Sequence, residues 1–194
     1  MVLHPQGGRE ALLSAGRRYQ PFYCEENAYW LCQDEALGGE REVVFVSNDA
    51  RSVAMWHQLA APPGEPLVWD YHVFVLSRAA GAVGTTTLAW DLDTRLALPV
   101  PAASYLGRCF RPTEARYRPR FRVVPAARFA ALFSTDRRHM RDADGAWRQP
   151  PPPWPAPGLG ERAPNLAAFV DCRAPFEGEL YDLPDLVARV SAPR

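Results

Sequence analysis

Lysine is missing from this chain: all 22 basic residues are arginine, 22 acidic residues match them, and the formal net charge is zero. A balanced chain has no overall field to gather nucleic acid or an anionic membrane. Cysteine is scarce, with four residues (Cys24, Cys32, Cys109, Cys172) at irregular spacings and none in a C-x-x-C pair. That argues against a disulfide framework and a structural zinc site. Free thiols fit a reducing compartment, so a cytoplasmic location is expected, extending to the nucleus in a eukaryote. No stretch nears the ~20 apolar residues of a membrane span. The opening MVLHPQGGREALLSAGRR lacks an apolar run long enough for a signal peptide, and no N-x-[S/T] acceptor occurs.

What is present describes an ordinary folded chain with one excess. A length of 194 residues suggests one domain, 1–194, with residues 1–18 a frayed lead-in. Hydrophobic residues make up 47% and charged residues 23%, both typical of a globular protein. Proline, at 20 residues, is about twice its average share and concentrates in the second half. A helix is expected from Cys24, because Cys24, Ala28, Leu31 and Cys32 recur on one helical face. Glu25 and Glu26 suit its first turn, and Gly38-Gly39 ends it. Strands are expected at VVFVS (43–47), LVWDYHVFVLS (67–77), TTTLAWDLD (85–93) and FRVV (121–124), with a hairpin turn within AAGAVG. PAARFAALF (125–133) reads as a helix, NLAAFV as another capped by Asn165, and LPDLVARV as a third. RDADGAWRQPPPPWPAPG (141–158) reads as turns followed by polyproline II. An early helix followed by antiparallel strands makes the fold class α+β.

A cysteine opening a helix is the first chemical signal. Unpaired N–H groups and the helix dipole favour its thiolate, and the same groups can hold an oxyanion. The other three cysteines read as core residues, the commoner role. The second signal is a hairpin. If its centre lies between Gly81 and Ala82, paired positions sum to 163 and His72 stands directly opposite Asp91. Side chains so opposed lie roughly 5 Å apart, near enough for a carboxylate to orient an imidazole. Taken alone, the pair reads equally as an ordinary His–Asp contact. A metal would need further ligands; only His4, His57 and His139 remain, without ligand spacing, so no metal is expected.

The words YCEEN (23–27), VWDYHV (68–73), WDLDT (90–94) and FSTDRRHMRDADGAWRQPPPPWP (133–155) occur in the order of a known family. The chain resembles the protein N-terminal glutamine amidohydrolases from about Tyr19 to about residue 170. Trp90 stands where that family's segment would have tyrosine, and the link around GGEREV is shorter than in animal members. The resemblance implies a papain/transglutaminase-like fold, with an antiparallel sheet packed with an N-terminal helix that carries the nucleophilic cysteine. It implies Cys24 as nucleophile, His72 as general base and acid, and Asp91 as the orienting carboxylate. It implies deamidation of a first-position glutamine to glutamate through a thioester, with release of ammonia and no cofactor. In this family such products feed degradation marked by the first residue.

The implied substrates are peptides or proteins with a free N-terminal glutamine; the balanced charge leaves no nucleic acid or membrane partner expected, and the lack of a coiled coil or an obvious exposed apolar stripe points to a monomer. A carboxylate that binds the free α-ammonium would reject internal glutamine. Asp70 and Asp136 are candidates for that role, with Glu25 and Glu26 weaker ones, although most carboxylates are ordinary surface groups. The arginine-rich RCFRPTEARYRPRFR (108–122) reads as a loop entering a strand rather than a nucleic-acid patch. PPPP (150–153) reads as a rigid strap, and His139 as structural. Cysteine, histidine and aspartate alone equally suit a papain-like peptidase or a transglutaminase-like acyl transferase. A non-catalytic module using the proline strap is the reading from outside enzymology.

Overall fold

The computed structural model describes residues 10, 13, 16–81 and 84–192. The expected lead-in over 1–18 falls largely outside them. The chain forms α1 (Cys24–Leu31), β1 (Glu40–Ser47), β2 (Val53–Met55), β3 (Leu67–Trp69), β4 (His72–Gly81), β5 (Gly84–Trp90), β6 (Val100–Pro101), α2 (Ala102–Cys109), β7 (Arg120–Pro125), α3 (Ala126–Leu132), α4 (Leu166–Val170), β8 (Glu179–Tyr181) and α5 (Leu183–Ser191). Six strands make one sheet in the order β6-β5-β4-β1-β7-β8, and β2 and β3 pair separately. Every pairing between these strands is antiparallel. The architecture is α+β, and among the described residues no helix is long and apolar enough to cross a membrane.

The continuous run VVFV is explained by cover on both faces of β1. Successive strand residues point to opposite sides. Phe45 packs on Phe129 of α3 and Phe169 of α4. Beyond the other face, Phe74 meets Tyr105 of α2, and Phe121 meets Phe110. A strand buried on both sides has no use for polar alternation. Helix α1 packs on β4, which sets Cys24 beside the strand that starts at His72.

The expected strand over 67–77 is two strands in two sheets. The break falls at Asp70-Tyr71, where side chains take over from the ladder. The Tyr71 N–H donates to Asp70 Oδ1, and the Ser47 hydroxyl donates to the Asp70 carbonyl. The β4–β5 ladder runs from Val75 opposite Trp90 to Gly81 opposite Gly84. Its pairs sum to 165, so the register differs by two from the one expected, and the turn residues 82 and 83 lie outside the described residues. A two-residue change keeps every side chain on its face. His72 and Asp91 are therefore diagonal neighbours beyond the end of the ladder. Strand β5 stops at Trp90 rather than Asp93.

Helix α1 ends at Leu31, and Gly38-Gly39 closes a following 3₁₀ turn (Glu35–Leu37) instead. Asn165 precedes α4 without capping it by its side chain. It clamps the neighbouring chain, accepting from the Ser134 N–H and donating to the Leu132 carbonyl. The arginine-rich stretch ends in a structural arginine. Arg122 is buried and donates to the carbonyls of Phe169, Asp171, Ala174 and Glu177, tying the C-terminal loops to β7.

Candidate active site

Cys24 opens α1 with its side chain almost fully buried. Its thiol approaches Glu25 Oε2 at 3.7 Å, and Val73 lines the same small cavity as Cys24. Val73 follows His72 in the chain, so the sulfur sits against the strand at the histidine. His72 is fully buried, and its Nε2 lies 2.9 Å from Asp91 Oδ1. Nδ1, also buried, has no hydrogen-bond partner among the described residues. The imidazole is thus held by one nitrogen and has the other to offer.

Asp91 is saturated. Its Oδ1 accepts from His72 and from the Asp93 N–H; its Oδ2 accepts from Gln58 Nε2 at 3.2 Å and the Tyr105 hydroxyl at 2.8 Å. Gln58 in turn accepts from Trp69 Nε1 at 3.2 Å, and the Trp69 ring stacks on His72 with centroids 5.4 Å apart. Imidazole, carboxylate, amide and indole close a ring that leaves the histidine little freedom to turn. Asp93 joins His72 and Asp91 in the one cluster, among the described residues, with metal-ligand proximity. The Asp91 oxygens are already occupied and Asp93 Oδ1 accepts from the Tyr19 hydroxyl at 2.7 Å, so a cation would have to displace protein donors.

Burial and neighbouring charges pull on each of the three groups. For Asp91, burial favours the neutral acid, but the His72 charge and hydrogen bond prevail and hold the carboxyl below its ordinary value. For His72, burial opposes the cation, but Asp91 outweighs it and the net shift is upward. The thiol departs from expectation. The helix start favours the thiolate, yet burial first, then the charges of Glu25 and Asp93, hold Cys24 well above the ordinary thiol range. The resting sulfur is therefore a thiol that needs a base at the moment it reacts.

The four further carboxylates separate clearly. Asp70 is exposed and 3.6 Å from Arg51. Asp136 is paired with Arg138. Glu26 is fully buried, bound bidentately by Arg137 at 2.7 and 2.8 Å and by Trp154 Nε1 at 2.9 Å; burial raises its pKa against the pull of Arg137. Glu25 is also fully buried, and its Oε2 accepts from the Tyr71 hydroxyl at 3.0 Å. His139 Nε2 lies 3.2 Å from that hydroxyl and 3.3 Å from Glu25 Oε1. A cavity of about 530 Å³ opens beside this cluster, with Phe22, Trp69, Asp70, Tyr71, Asp136 and His139 in its wall. Trp69 and Tyr71 were hidden within the VWDYHV word. Nothing local marks Gln58 or Tyr105 as partners of an aspartate 33 and 14 residues away.

The sequence profile of a family described as N-terminal glutamine amidase matches residues 19–190. A protein N-terminal glutamine amidohydrolase of Bos taurus is 36% identical over 183 residues, covering 90% of this chain and 87% of its own. The Homo sapiens protein of the same name is 36% identical, with 78% of this chain and 77% of its own covered. That of Drosophila grimshawi is 40% identical, with 87% and 86% covered. With its matched segment enclosing Cys24, His72 and Asp91, the chain belongs to the N-terminal glutamine amidase family.

Proposed function

We propose that this protein removes the side-chain amide of a glutamine standing first in a peptide or protein, releasing ammonia and leaving glutamate. The observation that carries the reading is the buried His72, fixed by Asp91 through Nε2 and without a hydrogen-bond partner at Nδ1 among the described residues, at the start of the strand on which the helix opened by Cys24 packs. His72 Nδ1 takes the thiol proton as Cys24 Sγ attacks the side-chain carbonyl. The tetrahedral oxyanion is held by the N–H groups that open α1, which have no partner within the helix. The His72 imidazolium, stabilised by Asp91, returns its proton to the departing nitrogen, and ammonia leaves. The same nitrogen then activates water, which releases glutamate from the thioester. The residues supply every proton transfer themselves.

The reading brings with it a papain- or transglutaminase-like arrangement in one catalytic domain, working as a monomer in the cytoplasm on substrates with a free α-amine. The test follows ammonia from peptides that begin with glutamine, asparagine or acetylated glutamine. Ammonia from the first alone is expected, and none from Cys24→Ala. Backbone cleavage or crosslinking instead would give the chain a peptidase or transferase role, and no ammonia from any peptide would end the reading.

A further inference from the structure

Of the four candidate carboxylates besides Asp91 and Asp93, three are matched by arginines: Asp70 by Arg51, Asp136 by Arg138, Glu26 by Arg137. Glu25 is different. It is fully buried, no arginine reaches it, and its Oε1 makes no hydrogen bond among the described residues. A buried carboxylate is costly unless matched by a cation, and beside Glu25 Oε1 the charged partner on hand is His139 Nε2 at 3.3 Å, a group that is cationic only when protonated. The two groups against it are half-committed. The Tyr71 hydroxyl donates to Oε2, so its oxygen can accept from His139 Nε2, and Oε1, 3.3 Å from that nitrogen, makes no hydrogen bond among the described residues.

We infer that Glu25 receives the α-ammonium of the substrate, lying just behind Tyr71 and His139, which hold the carboxylate and themselves line the 530 Å³ cavity. The proposal rests on the amidase reading above and assigns the group that restricts it to a first residue. The scale fits. In glutamine the α-nitrogen and the amide carbon are four bonds apart, a span of roughly 5 Å when extended. The Oε2 oxygen of the same carboxylate is 3.7 Å from the attacking sulfur. One glutamine can therefore rest its amine on Glu25 and its amide carbon on Cys24. Acetylated or internal glutamine brings a neutral amide to Glu25 and leaves the charge unmatched. A second effect follows, because the Glu25 charge is one of the influences that hold the sulfur protonated. An arriving ammonium cancels that charge, and the correct substrate eases deprotonation of the thiol that attacks it.

The experiment uses Glu25→Gln with two readouts. On a glutamine-first peptide, kcat/KM is expected to fall at least 100-fold, and the wild-type preference for free over acetylated amine is expected to shrink to within about tenfold. In the absence of substrate, Cys24 of the variant is expected to alkylate faster with iodoacetamide than wild type, because a suppressing charge is gone. A loosened fold would also bare the buried thiol, so both readouts are taken on a variant whose melting temperature matches wild type. If Glu25→Gln does not fold, Glu25→Asp, which keeps the charge on a shorter arm, is expected to keep part of the preference. Undiminished preference in a folded variant, or slower alkylation, overturns the assignment while leaving the amidase reading intact. Absence of ammonia from the wild type on any peptide removes the reading and the inference with it.

Discussion

Replacing Asp91 by asparagine tests the centre of the site with almost no change of shape. All four groups that reach the carboxylate donate to it: His72 Nε2, the Asp93 N–H, Gln58 Nε2 and the Tyr105 hydroxyl. An asparagine amide keeps one acceptor and adds two hydrogens that need acceptors. His72 Nε2 can accept one of them only by moving its own proton to Nδ1. That tautomer blocks the nitrogen that must take the proton of Cys24. The corresponding change in serine-protease triads costs about 10⁴ in kcat. With the same loss of tautomer here, kcat/KM should fall by about 10³–10⁴, or roughly 4–5.5 kcal/mol of activation free energy. The profile against pH should move as well. Asp91 is what lifts His72 above its ordinary value against burial. The acid limb should therefore shift to lower pH in the variant. Stability carries a matching signature. The raised histidine contributes stability below an unfolded value of about 6.5, lost as pH rises through the folded one. The lowered aspartate contributes above about 3.9, lost as pH falls through the folded one. The deficit in Tm against wild type should be largest between about pH 4 and 6.5 and narrow above. Ammonia release across pH 5–9 and melting curves at three pH values decide it. Activity within tenfold of wild type, with the acid limb unmoved, would refute the tautomer argument.

Two further substitutions probe the frame. Arg137→Ala strips the partner from fully buried Glu26 and should cost about 3–5 kcal/mol; this is roughly 6–20 °C in Tm for a chain of this length. The loss should grow from pH 5 to pH 8 as the unpartnered carboxylate ionises, and a change under 2 °C would show the pair to be dispensable. Gly178→Ala should destabilise by at least about 2 kcal/mol, since a left-handed backbone alone costs an L-residue about 1–2. Its φ is +82°, and an added Cβ would strike the Val123 carbonyl and come within 2.8 Å of Val124 Cγ2; an unchanged melting temperature would contradict this.

Much of the site could be read from neighbours in sequence. The onset of α1 at Cys24 and the shared face of His72 and Asp91 followed from period and pleat. The register did not, because alanine and glycine around positions 79–84 mark a turn without fixing its centre. The two-residue difference left the chemistry in place only because it is even. Helix α2 was passed over although Ala102, Tyr105, Leu106 and Cys109 carry the spacing of a buried face. Glu25 and Glu26 looked like exposed first-turn acids. Their partners Tyr71, Arg137 and Trp154 stand 46, 111 and 128 residues further on, so nothing local could show that both are buried.

The proline strap has a consequence for when the protein becomes competent. Four consecutive prolines offer carbonyls and no amide hydrogens. The fastening hydrogens all come from elsewhere: Tyr23 to Gln149, Gln20 to Pro150, and Arg137 to Pro152 and Trp154. Trp154 closes the loop by reaching Glu26, two residues past the sulfur. The turn that presents Cys24 is thus buttressed by segments that leave the ribosome long after it. A chain still in synthesis carries its nucleophile early, but lacks this last buttress of the helix until residue 154 of 194 has emerged.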